Sequence, residues 1–328
     1  MASLPSISLI SSTHNRAPSL RQTLGALGKV KVLPDWQAEL IVVDNASTDD
    51  TARVIRSAKF ANRTPEYLYE PLKGKSNALN AAFRRAEGEI ILLIDDDVSV
   101  AEDWVEQMIA AFEQDQADAV VGKIVLAENL SRPWLTPLQK WWLAAPDNQA
   151  EEQPGLIGAN MGFRRKILQR VPAFDPEIGA GTAFFGEEAL FGKQLVEAGF
   201  KIKYAPNAVV VHRPDESRLR RYAWIDAARK KGHEEAYFRY HWQHEDIRAP
   251  RASWLWYALK LRLRRIFQQQ PPLESEGIAA WEMSYVQSME TCRQFSVERR
   301  RPRNYARRGL LKSDGLAVDS QPLMRADA

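Results

Sequence analysis

A single cysteine, Cys292, among 328 residues cannot close a disulfide within the chain, and it lacks the Cys/His spacing of a structural zinc site. Neither kind of staple is available, so a buried core must hold the fold. Long hydrophobic runs are missing as well. The longest, such as Ile90 to Ile94 and Ala208 to Val211, reach about five residues, against the roughly 18 to 20 that a membrane-spanning helix needs. The opening Met1-Ala-Ser-Leu-Pro5 has neither the basic stretch nor the apolar segment of an export signal, which leads us to expect a cytoplasmic protein. No internal repeat is visible. With 45% hydrophobic and 27% charged residues, disorder throughout is excluded, and the length suits one large α/β domain with appendages or two small ones.

The net charge of +3 conceals an asymmetry. Residues 1–212 carry 22 Lys and Arg against 27 Asp and Glu, whereas residues 213–328 carry 23 against 15. A basic second part faces something anionic, such as membrane lipid or nucleic acid. No nucleic-acid recognition motif accompanies the charge, which counts against the latter.

Up to position 212, short β-rich runs alternate with helical patterns, the layout of an open, mostly parallel sheet covered by helices. Strands are expected at Ser6 to Ser11, Glu39 to Val43, Tyr67 to Tyr69, Glu89 to Ile94 and Ala119 to Val125, with helices at Asn15 to Leu27, beyond Asp49 to about Phe60, at Lys75 to Ala86 and at Ala101 to Gln114. The Pro- and Trp-rich stretch from Glu128 to Pro154 reads as an irregular connection with one helix near Pro137 to Leu143. Gly155 to Phe163 reads as extended and Glu187 to Ala198 as a helix, and two short strands are expected at Lys201 to Tyr204 and Ala208 to Val211. We place domain boundaries at 1–213, 214–298 (helical, basic and aromatic-rich) and 299–328 (a loose polar tail).

Asp95-Asp96-Asp97 directly follows the buried strand Ile90 to Ile94, so three carboxylates stand at a strand's carboxyl end, where open α/β sheets bind ligands. Unpaired burial would be costly, and a hard divalent cation holding a diphosphate removes that cost; the alternative is a solvated acidic turn capping the next helix. The acidic turn Asp44 to Asp49 ends a second strand and would lie on the same sheet edge, or else serve as an Asx turn and helix cap. Lys73-Gly74-Lys75 enters a helix and offers cations and N–H groups to phosphate. Glu187 and Glu188 open another helix, where a carboxylate can act as general base or simply complement the helix dipole. The dipole reading is favoured for Glu187 and the base for Glu188. His212 ends an apolar run and can be a metal ligand or a structural residue.

In their order and combination these elements resemble the inverting, nucleotide-sugar-dependent family 2 glycosyltransferases of the GT-A fold, over about residues 5–213. Ser8 to Arg16 looks like that family's opening strand and loop, Ile41 to Asp49 its second strand, Lys73 to Asn80 its Gly-Lys segment, and Asp95-Asp96-Asp97 its DxD motif. Gly158 to Arg165 resembles the acceptor-side strand, Phe174-Asp175-Pro176 the bend after it, Gly186-Glu187-Glu188 a Gly-Glu-Asp motif, and Gly199 to His212 the closing strands. The resemblance implies a Rossmann-like mixed sheet flanked by helices, to which the Arg- and aromatic-rich sequence beyond 213 adds a helical basic extension. It also implies that Thr13, Asn15, Arg16, Asp44, Asn45, Lys75, Asp95 and Asp96 bind the donor nucleotide. Asp97, with His212, would hold Mn2+ or Mg2+. Glu188 stands where the family usually has Asp as catalytic base, with Glu187 the other candidate, and Lys193-Gln194 replaces an Arg-containing pattern. The donor implied is a nucleotide sugar, a UDP-sugar first, and the acceptor a glycan or lipid-linked hydroxyl of polysaccharide or surface-glycan synthesis. A different class is a catalytically inactive GT-A scaffold acting through its basic part.

That part contains Trp254 to Phe267, which puts Leu255, Trp256, Leu259, Leu263, Ile266 and Phe267 on one helical arc, with Lys260, Arg264 and Arg265 mostly outside it and Arg262 inside. Such a helix suits an anionic membrane surface at the inner face of the plasma membrane, or packs on the catalytic domain or a second subunit. Trp134, Trp141 and Trp142 are candidate sugar platforms or core residues.

Overall fold

The computed structural model describes residues 5–32, 36–114, 116–146, 154–182, 184–268 and 270–313. Its centre is an eight-stranded mixed sheet in the order β3-β2-β1-β4-β7-β6-β8-β5. The strands are β1 (Ile7–Thr13), β2 (Ala38–Asp44), β3 (Glu66–Tyr69), β4 (Ile90–Asp95), β5 (Val98–Val100), β6 (Ala119–Leu126), β7 (Met161–Arg164) and β8 (Ile202–His212). Helices α1 (Ala17–Leu27), α2 (Thr51–Ser57), α3 (Lys75–Arg85), α4 (Trp104–Gln114), α5 (Pro137–Trp142) and α6 (Glu187–Glu197) interleave with them. In β4, Ile90, Leu92 and Ile94 join one buried cluster with α1 and α4, while Ile91 and Leu93 join another with α3 and α6. A strand covered on both faces has no polar side, which explains its unbroken apolar run.

Strands β1, β2 and β4 are parallel, and their register sets Thr13 beside Asp44 and Ser12 beside Asp95. The two acidic turns therefore share one edge of the sheet. β7 enters antiparallel to β4, with Met161 beside Leu93, and brings residues 158–160 to that same edge.

One strand was not expected, and two local expectations need correction. Val98–Val100 is a strand, paired antiparallel with β8 so that Val98 lies beside His212; three residues are too few for an alternation to show. The two strands expected between 201 and 211 are one, β8, whose pairing with β6 shifts register between Gly122 and Lys123. The bulge places Pro206 and Asn207 outside the ladder, so the missing proline N–H breaks no sheet bond. The extended segment expected from Gly155 is regular strand only at Met161–Arg164.

Beyond 213 come α7 (Arg221–Tyr237), continued by a wider turn to Gln243, α8 (Pro250–Phe267) and α9 (Ala280–Glu298). A buried ion pair, Arg221 Nη2 to Glu282 Oε1 at 2.6 Å, ties α7 to α9. The described part of the expected loose tail, 299–313, is docked. Tyr305 and Lys312 reach Asp175 at 2.7 and 3.0 Å, joined there by the Tyr237 hydroxyl at 2.6 Å. Residues 314–328 lie outside the described residues.

Candidate active site

The carboxyl edge of the sheet opens into a cleft of about 570 Å³. One wall is the end of β4. Asp96 Oδ2 accepts from the Thr13 hydroxyl at 2.6 Å and Asp96 Oδ1 from Arg16 at 2.7 Å. Burial pushes the Asp96 carboxyl up to about 6, against the pull of Arg16 and Thr13. Arg16 also holds Asp97 Oδ2 at 2.9 Å. Burial works to raise Asp97, but His212 and Arg16 outweigh it and keep this carboxyl well below the ordinary range.

The second oxygen of Asp97 is different. It is buried, makes no aligned hydrogen bond, and faces His212 Nε2 at 3.3 Å. The other ring nitrogen, Nδ1, lies 2.8 Å from the Leu143 carbonyl, an acceptor only, and so carries the hydrogen. Nε2, on the other side of the ring, is thereby turned toward the Asp97 carboxylate oxygen. Two such atoms side by side suit a shared cation. No three His, Cys, Asp or Glu side chains form a metal-ligand group among the described residues, so further ligands would come from substrate oxygens, as is usual for Mg2+ at phosphate sites.

Opposite stands a charge cluster at the N-termini of α3 and α6. Lys75 Nζ lies 2.8 Å from Asp95 Oδ1, 2.9 Å from Glu188 Oε1 and 3.6 Å from Glu187 Oε1. Burial opposes the charge on Lys75, yet Asp95, Glu188 and Glu187 raise its pKa well above the ordinary value. Burial likewise works to raise Glu188, but Lys75 lowers it on balance. Glu187, buried and flanked by Glu188, is pushed up from 4.5 to about 8. At neutral pH the pair therefore consists of an ionised Glu188 and a protonated Glu187. Gly158 makes this packing possible, because a Cβ there would come within 2.3 Å of Glu188 Oε1 and 2.7 Å of Lys75 Nζ. Gly186, at φ +113°, supplies the left-handed turn that starts α6.

The Glu187 shift fixes a sign. Between about pH 4.5 and 8 the folded chain keeps a proton that the unfolded chain has released, so stability owed to this group falls as pH rises through that window. Glu187→Gln removes the loss. Its thermal midpoint is expected to gain steadily on that of the unaltered protein from about pH 5 to about pH 8, and a gap that stays constant would contradict the assignment.

The cleft gathers most of the residues expected from the sequence, since Thr13, Arg16, Asn45, Lys75, Asp95, Asp96, Asp97, Glu187, Glu188 and His212 all line it. Asn15 and Asp44 stand behind its wall. Asn15 Oδ1 accepts from the Thr48 N–H at 2.7 Å, while Asp44 accepts from the Ser47 N–H at 2.8 Å and the Tyr67 hydroxyl at 2.9 Å. Lys193 is exposed, and Gln194 binds the Gly309 carbonyl at 3.3 Å, away from the cleft. Trp134 packs edge-to-face on Trp224 in the core, whereas Trp141 and Trp142 line the cleft. Sequence reasoning missed His14, Arg218 and Lys231, which also line it. His14 adjoins Thr13 in the opening loop, but Arg218 and Lys231 belong to the basic part beyond 213, whose charge pointed to an anionic partner and not to this cleft. They come from beyond position 213, so the cleft draws on both sides of that boundary.

Residues 8–171 match the Glycosyl transferase family 2 model, and residues 90–283 match the Glycosyl transferase family group 2 model. The chain belongs to the family 2 glycosyltransferases. Within this family it is 28% identical over 221 residues to an N-acetylglucosaminyltransferase of Rhizobium meliloti (strain 1021), an alignment covering 63% of this chain and 51% of that protein. It is 25% identical over 236 residues to the probable glycosyltransferase YdaM of Bacillus subtilis (strain 168), covering 66% and 53%. The chain thus spans about half the length of the curated relatives it matches. Among solved structures, the mannosyltransferase PcManGT from Pyrobaculum calidifontis, in complex with GDP-Man and Mn2+, superposes with a TM-score of 0.55 at 20% identity, over 89% of this chain and 74% of that one. This family 2 glycosyltransferase accordingly has the GT-A fold, with Asp95-Asp96-Asp97 at the end of β4.

Proposed function

We propose that this chain is an inverting glycosyltransferase that moves a sugar from a nucleoside-diphosphate donor to an acceptor hydroxyl. The observation that carries the reading is the half-buried Glu188, held at 2.9 Å by Lys75 and facing the same cleft as Asp97 and His212. In a single in-line displacement, Glu188 takes the proton of the acceptor hydroxyl as its oxygen attacks C1, the bond from C1 to the diphosphate oxygen breaks, and the configuration at C1 inverts. Lys75 tunes that base. Three carboxylates share it, and an entering diphosphate competes for its charge, which loosens its hold on Glu188. Thr13 and Arg16 fix Asp96, and Asn15 and Asp44 brace the loops that would receive the nucleotide. Asp97 and His212 would hold Mn2+ or Mg2+, which when bound stabilises charge growing on the leaving diphosphate. The presence of Mn2+ in the PcManGT complex supports a divalent cation.

For the donor we favour a UDP-sugar, with N-acetylglucosamine first, because several relatives are named N-acetylglucosaminyltransferases. The acceptor is a glycan or lipid-linked hydroxyl. The test is the thermal midpoint against a panel of nucleotide sugars with and without Mn2+, followed by the anomeric configuration of any product. Ligand that binds only the folded state raises the midpoint. We expect a metal-dependent shift confined to one base, lost in Asp97→Ala, and an inverted linkage. No shift with any donor at millimolar concentration, or a retained configuration, would refute the reading.

A further inference from the structure

Helix α8 has a second apolar face beyond the one that an ordinary surface helix buries. Leu255, Leu259, Leu263 and Phe267 follow one another at four-residue steps with Trp256 and Ile266 beside them, and all six are exposed, Ile266 to 66% and Phe267 to 83%. The side packed on α9 carries Leu261 and Tyr257 together with two cations. Arg265 reaches Glu282 at 2.5 Å and the Arg264 guanidinium lies 4.7 Å from the centre of the Trp281 ring. Exposed apolar faces of this size mark interaction surfaces.

The charge around the face selects its partner. Residues 247–273 contain six Lys and Arg and no Asp or Glu. Arg251 and Arg262 are exposed along one edge of the apolar face, and Lys260 borders the other, 4.6 Å from the Trp256 ring centre. An apolar stripe with tryptophan, edged by cations and free of acid, matches an anionic bilayer surface. A second copy fits poorly, since two-fold pairing sets each basic edge against an equally basic face with no carboxylate to receive it.

We propose that α8 docks the protein in the plane of an anionic lipid surface, with Leu255, Trp256, Leu259, Leu263, Ile266 and Phe267 entering the acyl boundary and Arg251, Lys260 and Arg262 meeting the headgroups. The inner side of α8 places Leu261 in a cluster with Ile225, Val286 and Trp142, and Trp142 lines the cleft. Docking therefore holds the cleft rim about one helix diameter, roughly 10 Å, from the lipid. The inference stands independently of the glycosyl-transfer reading.

Sedimentation of the full chain with phosphatidylcholine vesicles, with and without about one third phosphatidylglycerol, tests it. Binding is expected to the anionic vesicles at low salt, weakening as salt is raised. Ile266→Glu/Phe267→Glu should weaken it by about tenfold or more at an unchanged thermal midpoint, because both side chains are already in solvent. Arg251→Glu/Arg262→Glu should abolish the preference for phosphatidylglycerol. Transfer to a water-soluble acceptor, unchanged in both variants, reports on the reaction separately. The proposal is overturned if the protein ignores anionic vesicles at low salt, if the Ile266/Phe267 variant binds as before, or if the protein is a dimer that this variant dissolves without any vesicle binding.

Discussion

Glu188→Gln should lower sugar transfer by about 10²- to 10⁴-fold while donor binding, read as the nucleotide-induced rise in thermal midpoint, stays intact. Gln keeps the shape and the hydrogen-bonding reach of Glu188 but cannot take a proton from the acceptor. Glu187→Gln should behave differently, because Glu187 holds its proton at neutral pH through burial and the adjacent Glu188 charge, so the amide imitates the state already present. Most of the activity should survive, and the ordinary decline of a base-dependent rate at acid pH should remain. The reverse outcome, with Glu187→Gln inactive and Glu188→Gln active, would move the base to Glu187. The longer side chain at 188, Glu where the family usually has Asp, is accommodated by the bare backbone of Gly158.

Lys75→Ala should destabilise the fold by about 3–5 kcal/mol, the usual cost of removing one partner from a buried ion pair. Lys75 is 15% exposed and serves Asp95, Glu187 and Glu188 at once. Without it the carboxylates are left buried against one another, their pKa values rise, and the folded state takes up protons that the unfolded chain does not bind. Stability of the variant should therefore fall as pH rises through the range above the ordinary carboxylate values, and the deficit should be smallest in mild acid. Denaturant unfolding at about pH 5 and about pH 8 reads this directly. A variant as stable as the parent at both values would show that the cluster is solvated and that Lys75 does not organise it. Transfer should also be lost, since the cation at the first turn of α3 no longer answers the diphosphate charge or holds Glu188.

Much of this site was legible in the sequence because its signals are local. An apolar run followed by three Asp residues, Ile90 to Asp97, can be read without knowing its neighbours, and so can Gly186-Glu187-Glu188 at a helix start or the Gly74-Lys75 entry to α3. Parallel β1, β2 and β4 then follow from the alternation of strand and helix, and with them the common edge that unites Asp44 and Asp95. The family resemblance rested on such segments, and the match of residues 8–171 bears it out.

What the chain order could not state is which distant groups face one another. Lys75 and Glu188 are 113 positions apart, and they meet where the N-termini of α3 and α6 converge beside the bare backbone of Gly158. Asp97 meets His212 because β5 pairs with β8, a three-residue strand too short to announce itself. The division of protons between Glu187 and Glu188 depends on burial and on Lys75, properties of an environment that neither residue carries alone. The same limit governs α8: its sequence showed an apolar arc and a set of cations, but its packing on α9 decided that the arc faces outward and that Arg264 and Arg265 turn in. Local pattern determines the elements and the residue types at their ends, because propensity and periodicity act over a few residues. Proton state, ion pairing and exposure arise from solvent exclusion and Coulomb forces between segments far apart in the chain, and these exist only once the tertiary structure has formed.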